Sequence, residues 1–233
     1  YESESIKELL ANASYKYTDD LSEAQIIILN TCSVTSNADQ KSLKMVRHLK
    51  RENDRAIFIV CGCSVQNNID KYKNLNINYL LGNNEKNKIP YLIKNESCYE
   101  NIYDIKNIEY EKMTINNFEH IRAYIKIQDG CDNYCTYCII PYLRGHRRCK
   151  DYQTIINEAN TLVKNGYQEI VLLGIDTGTF KSDNHDLADL INDLSKIKGL
   201  NRIRLSSIEI TELDENFYNV LKNNKVLCDH LHI

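Results

Sequence analysis

The sequence predicts an α/β protein in two parts, an open parallel sheet followed by a β/α barrel that stops unfinished. Short apolar runs alternate with polar helical stretches along the whole chain, which is the pattern of parallel-sheet construction. Residues able to do chemistry follow directly after the apolar runs, where sheets and barrels of this kind place their ligand loops. Between Asn95 and Phe118 the periodicity fades and charges crowd in, marking the join between the two parts.

In the first part, residues 1–13 read as a helix, 26–30 as a buried strand and 37–53 as a basic amphipathic helix. A second strand covers 56–61 and a third 78–81, before a helix over 85–94. In the second part, a strand over 122–128 leads into a cysteine-rich loop. Helix 152–165 turns through Gly166 into strand 169–173, and the pattern repeats with helix 186–196, strand 202–206, helix 215–223 and strand 229–233. That is one β/α unit three times over, stopped at the start of a fourth strand.

The loop after strand 122–128 reads Cys131-Asp132-Asn133-Tyr134-Cys135-Thr136-Tyr137-Cys138, three thiols at C-x3-C-x2-C spacing. An iron-sulfur cube is normally held by four thiolates, so three on one loop leave one iron free to coordinate something else. An open metal position distinguishes catalytic sites from closed structural ones. A zinc knuckle is the alternative, but zinc sites usually add a second C-x2-C or an H-x3-H at some distance. No such partner stands nearby, and only His146 offers a fourth ligand.

At 233 residues the chain can form one large or two modest domains. A net charge of −3 gives no global pull toward nucleic acid, so such a partner must meet a local patch. Nine cysteines, with no signal peptide and no long apolar run, predict a reducing cytoplasmic setting away from any membrane.

In a β/α barrel the loops at the C-terminal ends of the strands build the active site. The cysteine loop follows the first barrel strand, Gly174-Ile175-Asp176-Thr177-Gly178 the second, and Ser206-Ser207-Ile208-Glu209 closes the third, so all three face one mouth. Glycine after a strand is by itself an ordinary turn signal. Its coincidence with the cysteine loop points to a bound ligand.

The first part repeats this logic with Cys32 in Asn30-Thr31-Cys32-Ser33-Val34-Thr35 and Cys63 in Cys61-Gly62-Cys63-Ser64-Val65-Gln66. Neighbouring parallel strands bring the two together at the edge where open α/β sheets bind ligands. Cysteine is also among the most commonly buried residues, so on the residues alone a metal role and a core role are both open.

These stretches, with Tyr1-Glu2-Ser3-Glu4, Asn37-Ala38-Asp39, Lys41-Ser42, Lys126-Ile127-Gln128-Asp129-Gly130 and His230-Leu231-His232-Ile233, give the chain a resemblance. It resembles the radical S-adenosylmethionine methylthiotransferases, and most of all the MtaB-type branch that modifies threonylcarbamoyl-adenosine beside the tRNA anticodon. The resemblance implies a methylthiotransferase domain over 1–95, a linker over 96–118 and a radical S-adenosylmethionine domain over 119–233, in a fragment lacking its extreme N-terminus and its C-terminal part. It implies that Cys131, Cys135 and Cys138 bind a 4Fe-4S cluster whose free iron chelates S-adenosylmethionine. Tyr137 would lie near the adenine, and Gly174 and the Ser206 to Glu209 stretch would line the rest of that pocket. A second 4Fe-4S cluster would take Cys32 and Cys63, with a third cysteine expected before Tyr1. Reductive cleavage of S-adenosylmethionine would then start sulfur insertion into the adenine ring, with a tRNA anticodon loop and an electron donor such as flavodoxin or ferredoxin as partners. Isopentenyl-adenosine in tRNA and an aspartate of a ribosomal protein are the alternative substrates within the resemblance, and a redox or zinc-binding module is the non-enzymatic alternative.

Other residues read more plainly. Cys61 sits where a small core residue serves, and Cys98, Cys149 and Cys228 lack ligand spacing. His48, His120 and His185 are isolated and read as solvated. Arg144, His146, Arg147, Arg148 and Lys150 form a basic cluster directly after the cysteine loop, placed to meet a cofactor carboxylate or an RNA phosphate. Lys41, Lys44, Arg47, Lys50 and Arg51 form a second, helical stripe that a solvated face explains at least as well.

Overall fold

The computed structural model describes residues 1–95, 98–102, 104, 105 and 108–233. They divide into two compact units: one comprises Glu2–Glu111 and Asn133–Gly145, the other Tyr1, Lys112–Asp132 and His146–Ile233. Both parallel sheets expected from the alternation of apolar runs are present. Among the described residues no helix is long and apolar enough to cross a membrane.

The first unit runs α1 (Glu2–Asn12), β1 (Ile26–Thr31), α2 (Ser36–Glu52), β2 (Ile57–Gly62), α3 (Cys63–Asn67), α4 (Asp70–Lys73), β3 (Tyr79–Leu81), α5 (Ile89–Asn95) and β4 (Tyr99–Asn101). Its strands pair in parallel in the order β1-β2-β3-β4. Successive side chains on a strand point to opposite faces, so Ile59, Cys61, Tyr79 and Leu81 pack with Ile6, Ile89 and Leu92, while Val60 and Leu80 pack with Val46, Val65 and Tyr72. Helix α2 starts where Thr35 accepts a hydrogen bond from Ala38 N, carries Asp39 in its first turn and ends on Lys50 and Arg51, which suits the helix dipole at both ends. Val46 on its inner face is completely buried, worth about 1.5–3 kcal/mol.

Two expectations change here. Residues 99–101, assigned to the linker, instead extend the sheet as β4. Tyr-Glu-Asn carries no apolar run, and the strand is held by pairing with β3 and by Tyr99 Oη and Asn101 Nδ2 donating to Glu85 Oε2 at 2.8 and 3.0 Å. Residues 96, 97, 103, 106 and 107 of that linker lie outside the described residues. The helix expected over 85–94 starts as a 3-10 turn at Lys86–Lys88 and becomes α-helical only at Ile89. Glu85 is left-handed at φ 69°, and Pro90 is tolerated only in a first helical turn.

The second half of the chain runs β5 (Ala123–Lys126), β6 (Gln128–Asp129), α6 (Ile140–Arg144), β7 (Arg148–Cys149), α7 (Tyr152–Lys164), β8 (Glu169–Leu173), β9 (Lys181–Ser182), β10 (His185–Asp186), α8 (Leu187–Leu194), β11 (Arg202–Leu205) and α9 (Glu215–Asn223). Of these, α6 belongs to the first unit. Strands β5, β8 and β11 form a parallel sheet of order β11-β8-β5. Its apolar residues Ile125, Ile170, Leu172, Ile203 and Leu205 share one core with Ile155 and Leu162 of α7, Leu190 and Leu194 of α8 and Phe217 of α9. The helices are capped by Asp151, Asp186 and Asp214, each accepting a hydrogen bond from a backbone N–H three residues on.

The strand expected over 122–128 stops at Lys126, because Gln128 and Asp129 turn aside to pair antiparallel with β7. The strand expected over 229–233 is reduced to a single bridge, Ser207 with His232, with another just before it between Ile203 and Leu227. A tight turn, with His230 N donating to Cys228 O at 2.7 Å, interrupts the ladder there. His185 is not a solvated side chain: it stacks on Tyr152 with ring centroids 4.1 Å apart.

Candidate functional site

In the second unit the loops after β5, β8 and β11 are joined by side chains. Gln128, wholly buried, is the hub. Its Oε1 accepts from Ile175 N at 2.9 Å and Asp176 N at 3.0 Å, and its Nε2 donates to Gly130 O at 2.7 Å. It thereby fastens the loop after β8 to the start of the cysteine loop. Gly174 is required by this closeness, since a Cβ there would lie 2.9 Å from both Gln128 Oε1 and Thr177 Cγ2. Gly174 N donates to Ser206 Oγ at 3.2 Å, and Thr177 bonds to Ser207 O, so the loop after β11 is drawn in as well. Glu209, by contrast, is exposed and leads into a 3-10 turn, Ile210–Glu212.

The cysteine loop leaves β6 through Gly130 at φ 73°, whose N–H donates to Asp129 Oδ1 at 2.8 Å. The Asp129 carboxylate is itself buried and held by Lys126 at 2.7 Å and Arg148 at 3.1 Å. One residue past Cys131, Asp132 receives His146 at 2.6 Å and Arg147 Nε at 3.0 Å. Burial pushes the Asp132 carboxyl up, but the hydrogen bonds from His146 and Arg147 outweigh it and hold the group below its ordinary value. The basic cluster that follows the loop is therefore largely occupied within the fold. Arg144 pairs with Glu2 at 3.0 Å, Arg148 with Asp129, and Lys150 is buried against Glu158. The expectation that this cluster as a whole meets a cofactor or RNA is corrected accordingly, with His146 and Arg147 as its more exposed members.

Cys131 and Cys138 are half-buried and Cys135 is exposed, on backbone without helix or strand; Cys138 N donates to Cys135 O at 2.9 Å. Tyr137 is 90% exposed. None of the nine cysteines is in a disulfide. Among the described residues no three His, Cys, Asp or Glu side chains are gathered as metal ligands. The donor set nevertheless fits an iron-sulfur cluster in its chemistry, three soft thiols on one accessible loop.

In the first unit, Cys32 and Cys63 each follow a residue of the register pair Thr31 and Gly62, so they leave the sheet side by side at its C-terminal edge. Cys32 is exposed and Cys63 buried. Asp39, at the start of α2, grips both loops: Oδ1 accepts from Ser33 Oγ at 3.1 Å and from Ser64 Oγ at 2.5 Å, and Oδ2 pairs with Lys71 at 2.6 Å. Ser42, one turn on, accepts from Cys32 N at 3.3 Å. Cys61 lies in the core, where burial pushes its thiol up to about 12 and keeps it protonated. The motif Asn37-Ala38-Asp39 marked this helix start in the sequence, but nothing in the spacing disclosed that Asp39 bridges two loops.

Comparison with known proteins agrees with this division of features. Residues 1–82 match a family described as uncharacterized protein family UPF0004, and residues 125–233 match the radical SAM superfamily. Each half of the chain thus matches a different family model, and the relatives it resembles over its whole length include tRNA methylthiotransferases. Over its whole length it is 34% identical to threonylcarbamoyladenosine tRNA methylthiotransferase MtaB of Bacillus subtilis, covering 54% of that protein, and 35% identical to MtaB of Thermotoga maritima, again covering 54%. It is 32% identical to tRNA-2-methylthio-N(6)-dimethylallyladenosine synthase of Thermodesulfovibrio yellowstonii, covering 56%. The chain therefore spans about half the length of the curated relatives it matches. Among solved structures, the radical S-adenosylmethionine methyltransferase TsrM from Kitasatospora setae, with cobalamin and a [4Fe-4S] cluster bound, matches with a TM-score of 0.58 at 13% identity, covering 95% of this chain and 53% of that one. That likeness is one of fold.

Proposed function

We propose that this chain carries the cluster-binding part of a tRNA methylthiotransferase, with residues 1–95 and strand β4 as its methylthiotransferase domain, the stretch from 102 to 118 as the linker and 119–233 as its radical S-adenosylmethionine domain. The observation that carries the reading is the loop of Cys131, Cys135 and Cys138, opening inside the radical SAM match and tied through Gln128 to the loop of Gly174. Those three thiolates would hold a 4Fe-4S cluster. When bound, the cluster and S-adenosylmethionine supply the one-electron chemistry that starts the reaction. Gly174, Ser206, Glu209 and Tyr137 would receive the rest of the cofactor. Cys32 and Cys63 would supply ligands to a second 4Fe-4S cluster, in loops that Asp39 holds in step. An electron donor of the flavodoxin or ferredoxin kind would serve as partner.

The substrate in this reading is N6-threonylcarbamoyladenosine beside the tRNA anticodon. It rests on the Lys126 to Cys131 and Asn37-Ala38-Asp39 stretches and on the MtaB relatives. The relatives that act on dimethylallyladenosine favour a second reading. Nucleoside analysis of tRNA from a strain deleted for the gene separates them: the methylthio mark on threonylcarbamoyladenosine should vanish while that on dimethylallyladenosine stays. Loss of the latter alone would establish the second reading, and loss of neither would overturn both.

A further inference from the structure

Helix α2 presents Lys41, Lys44, Arg47, His48 and Arg51 to solvent on one broad face, with Lys50 half-buried at its margin. Residues three and four apart on a helix are neighbours, so these cations follow one another every 4.5–6 Å or so at about 1.5 Å rise per residue. Lys44, Arg47, His48, Lys50 and Arg51, with Leu75, line an open cleft of about 650 Å³. His48 faces Glu52 at 3.7 Å, and Lys50 lies over the Phe58 ring at 4.4 Å. Among the described residues no carboxylate pairs with Lys41, Lys44, Arg47 or Arg51.

We propose that this face of α2 is a docking surface for the phosphate backbone of an RNA strand. The apolar side of the helix is already spent, since Val46, Leu43 and Leu49 pack into the core. A membrane-binding amphipathic helix needs that side free to insert. A protein partner would call for an apolar, aromatic-rich centre to the interface with few charges. A nucleic-acid interface is instead polar and strongly positive, as this face is. In a chain of net charge −3 the concentration is local. The face also begins beside the cysteine edge: Ser42, which bonds the backbone of Cys32, is flanked by Lys41. An RNA laid along α2 would therefore lead toward the end of the sheet where Cys32 and Cys63 emerge. This proposal rests on the tRNA reading above and adds a location to it.

The test is binding of an unmodified tRNA transcript to the chain, measured by filter retention from 50 to 200 mM salt. The variant carries Lys44→Gln, Arg47→Gln and Arg51→Gln; the control carries Lys198→Gln, Lys222→Gln and Lys225→Gln, an equal loss of charge elsewhere. All six side chains are exposed, so both proteins should melt with the parent. The α2 variant is expected to bind at least tenfold more weakly at the low-salt end. Its salt slope should fall by about two, since each lost phosphate contact removes roughly 0.7. The control should bind like the parent. Equal weakening of both variants, or an unchanged α2 variant, would overturn the surface. If the parent itself does not bind tRNA, the surface is overturned, while the tRNA reading stands or falls on the nucleoside analysis above.

Discussion

At the scale of single residues, Asp39 and Gly174 each hold loops together, one by charge and one by absence. Burial pushes the Asp39 carboxyl up, but hydrogen bonds from Lys71, Ser64 and Ser33 outweigh it and hold the group below its ordinary value. A lowered carboxylate stabilises the fold above its unfolded value of about 3.9, and that contribution is lost as pH falls through the folded value. Asp39→Asn is therefore expected to lower stability by about 1–3 kcal/mol at neutral pH. The gap from the parent should shrink below about pH 4. Urea titrations at both pH values check this, and an equal gap at each would contradict it. Gly174→Ala puts a methyl 2.9 Å from Gln128 Oε1 and Thr177 Cγ2, both fixed by other bonds. We expect a loss of about 1–3 kcal/mol from overpacking, read by the same titration. The roles of Asp39 and Gln128 were not legible in the sequence, because their partners lie as far as 48 residues away.

At the scale of elements, long apolar runs were legible and short pairings were not. Strands β1, β2, β8 and β11 and helices α2, α7 and α9 stand where periodicity put them, because burial of one face writes itself into the sequence. Strands of two or three residues, such as β4, β6, β7, β9 and β10, carry no period, and backbone pairing with a neighbour decides them. The basic cluster after the cysteine loop misled in the same way: Lys150 reads as a surface charge but lies buried on Glu158 of α7, with Tyr1 Oη and Met113 O completing its shell. Removing one member of a buried pair strands the other, so Lys150→Met is expected to cost about 3–5 kcal/mol. The double variant Lys150→Met, Glu158→Gln should recover much of that, since Gln can still accept from Ile115 N. A double variant no more stable than the single one would show that the pair is not the source of the loss.

At the scale of the whole molecule, two parallel sheets each deliver cysteines from their C-terminal strand ends, and the family matches fall on the same two stretches of chain. The central claim is that the loop of Cys131, Cys135 and Cys138 is a cluster loop for S-adenosylmethionine chemistry. Anaerobic reconstitution with iron and sulfide tests it most directly, followed by iron analysis and assay of deoxyadenosine from S-adenosylmethionine. The variant with all three cysteines changed to alanine should hold about four fewer irons per chain than the parent and release no deoxyadenosine. A triple variant that kept the parent's iron and still cleaved S-adenosylmethionine would contradict the claim.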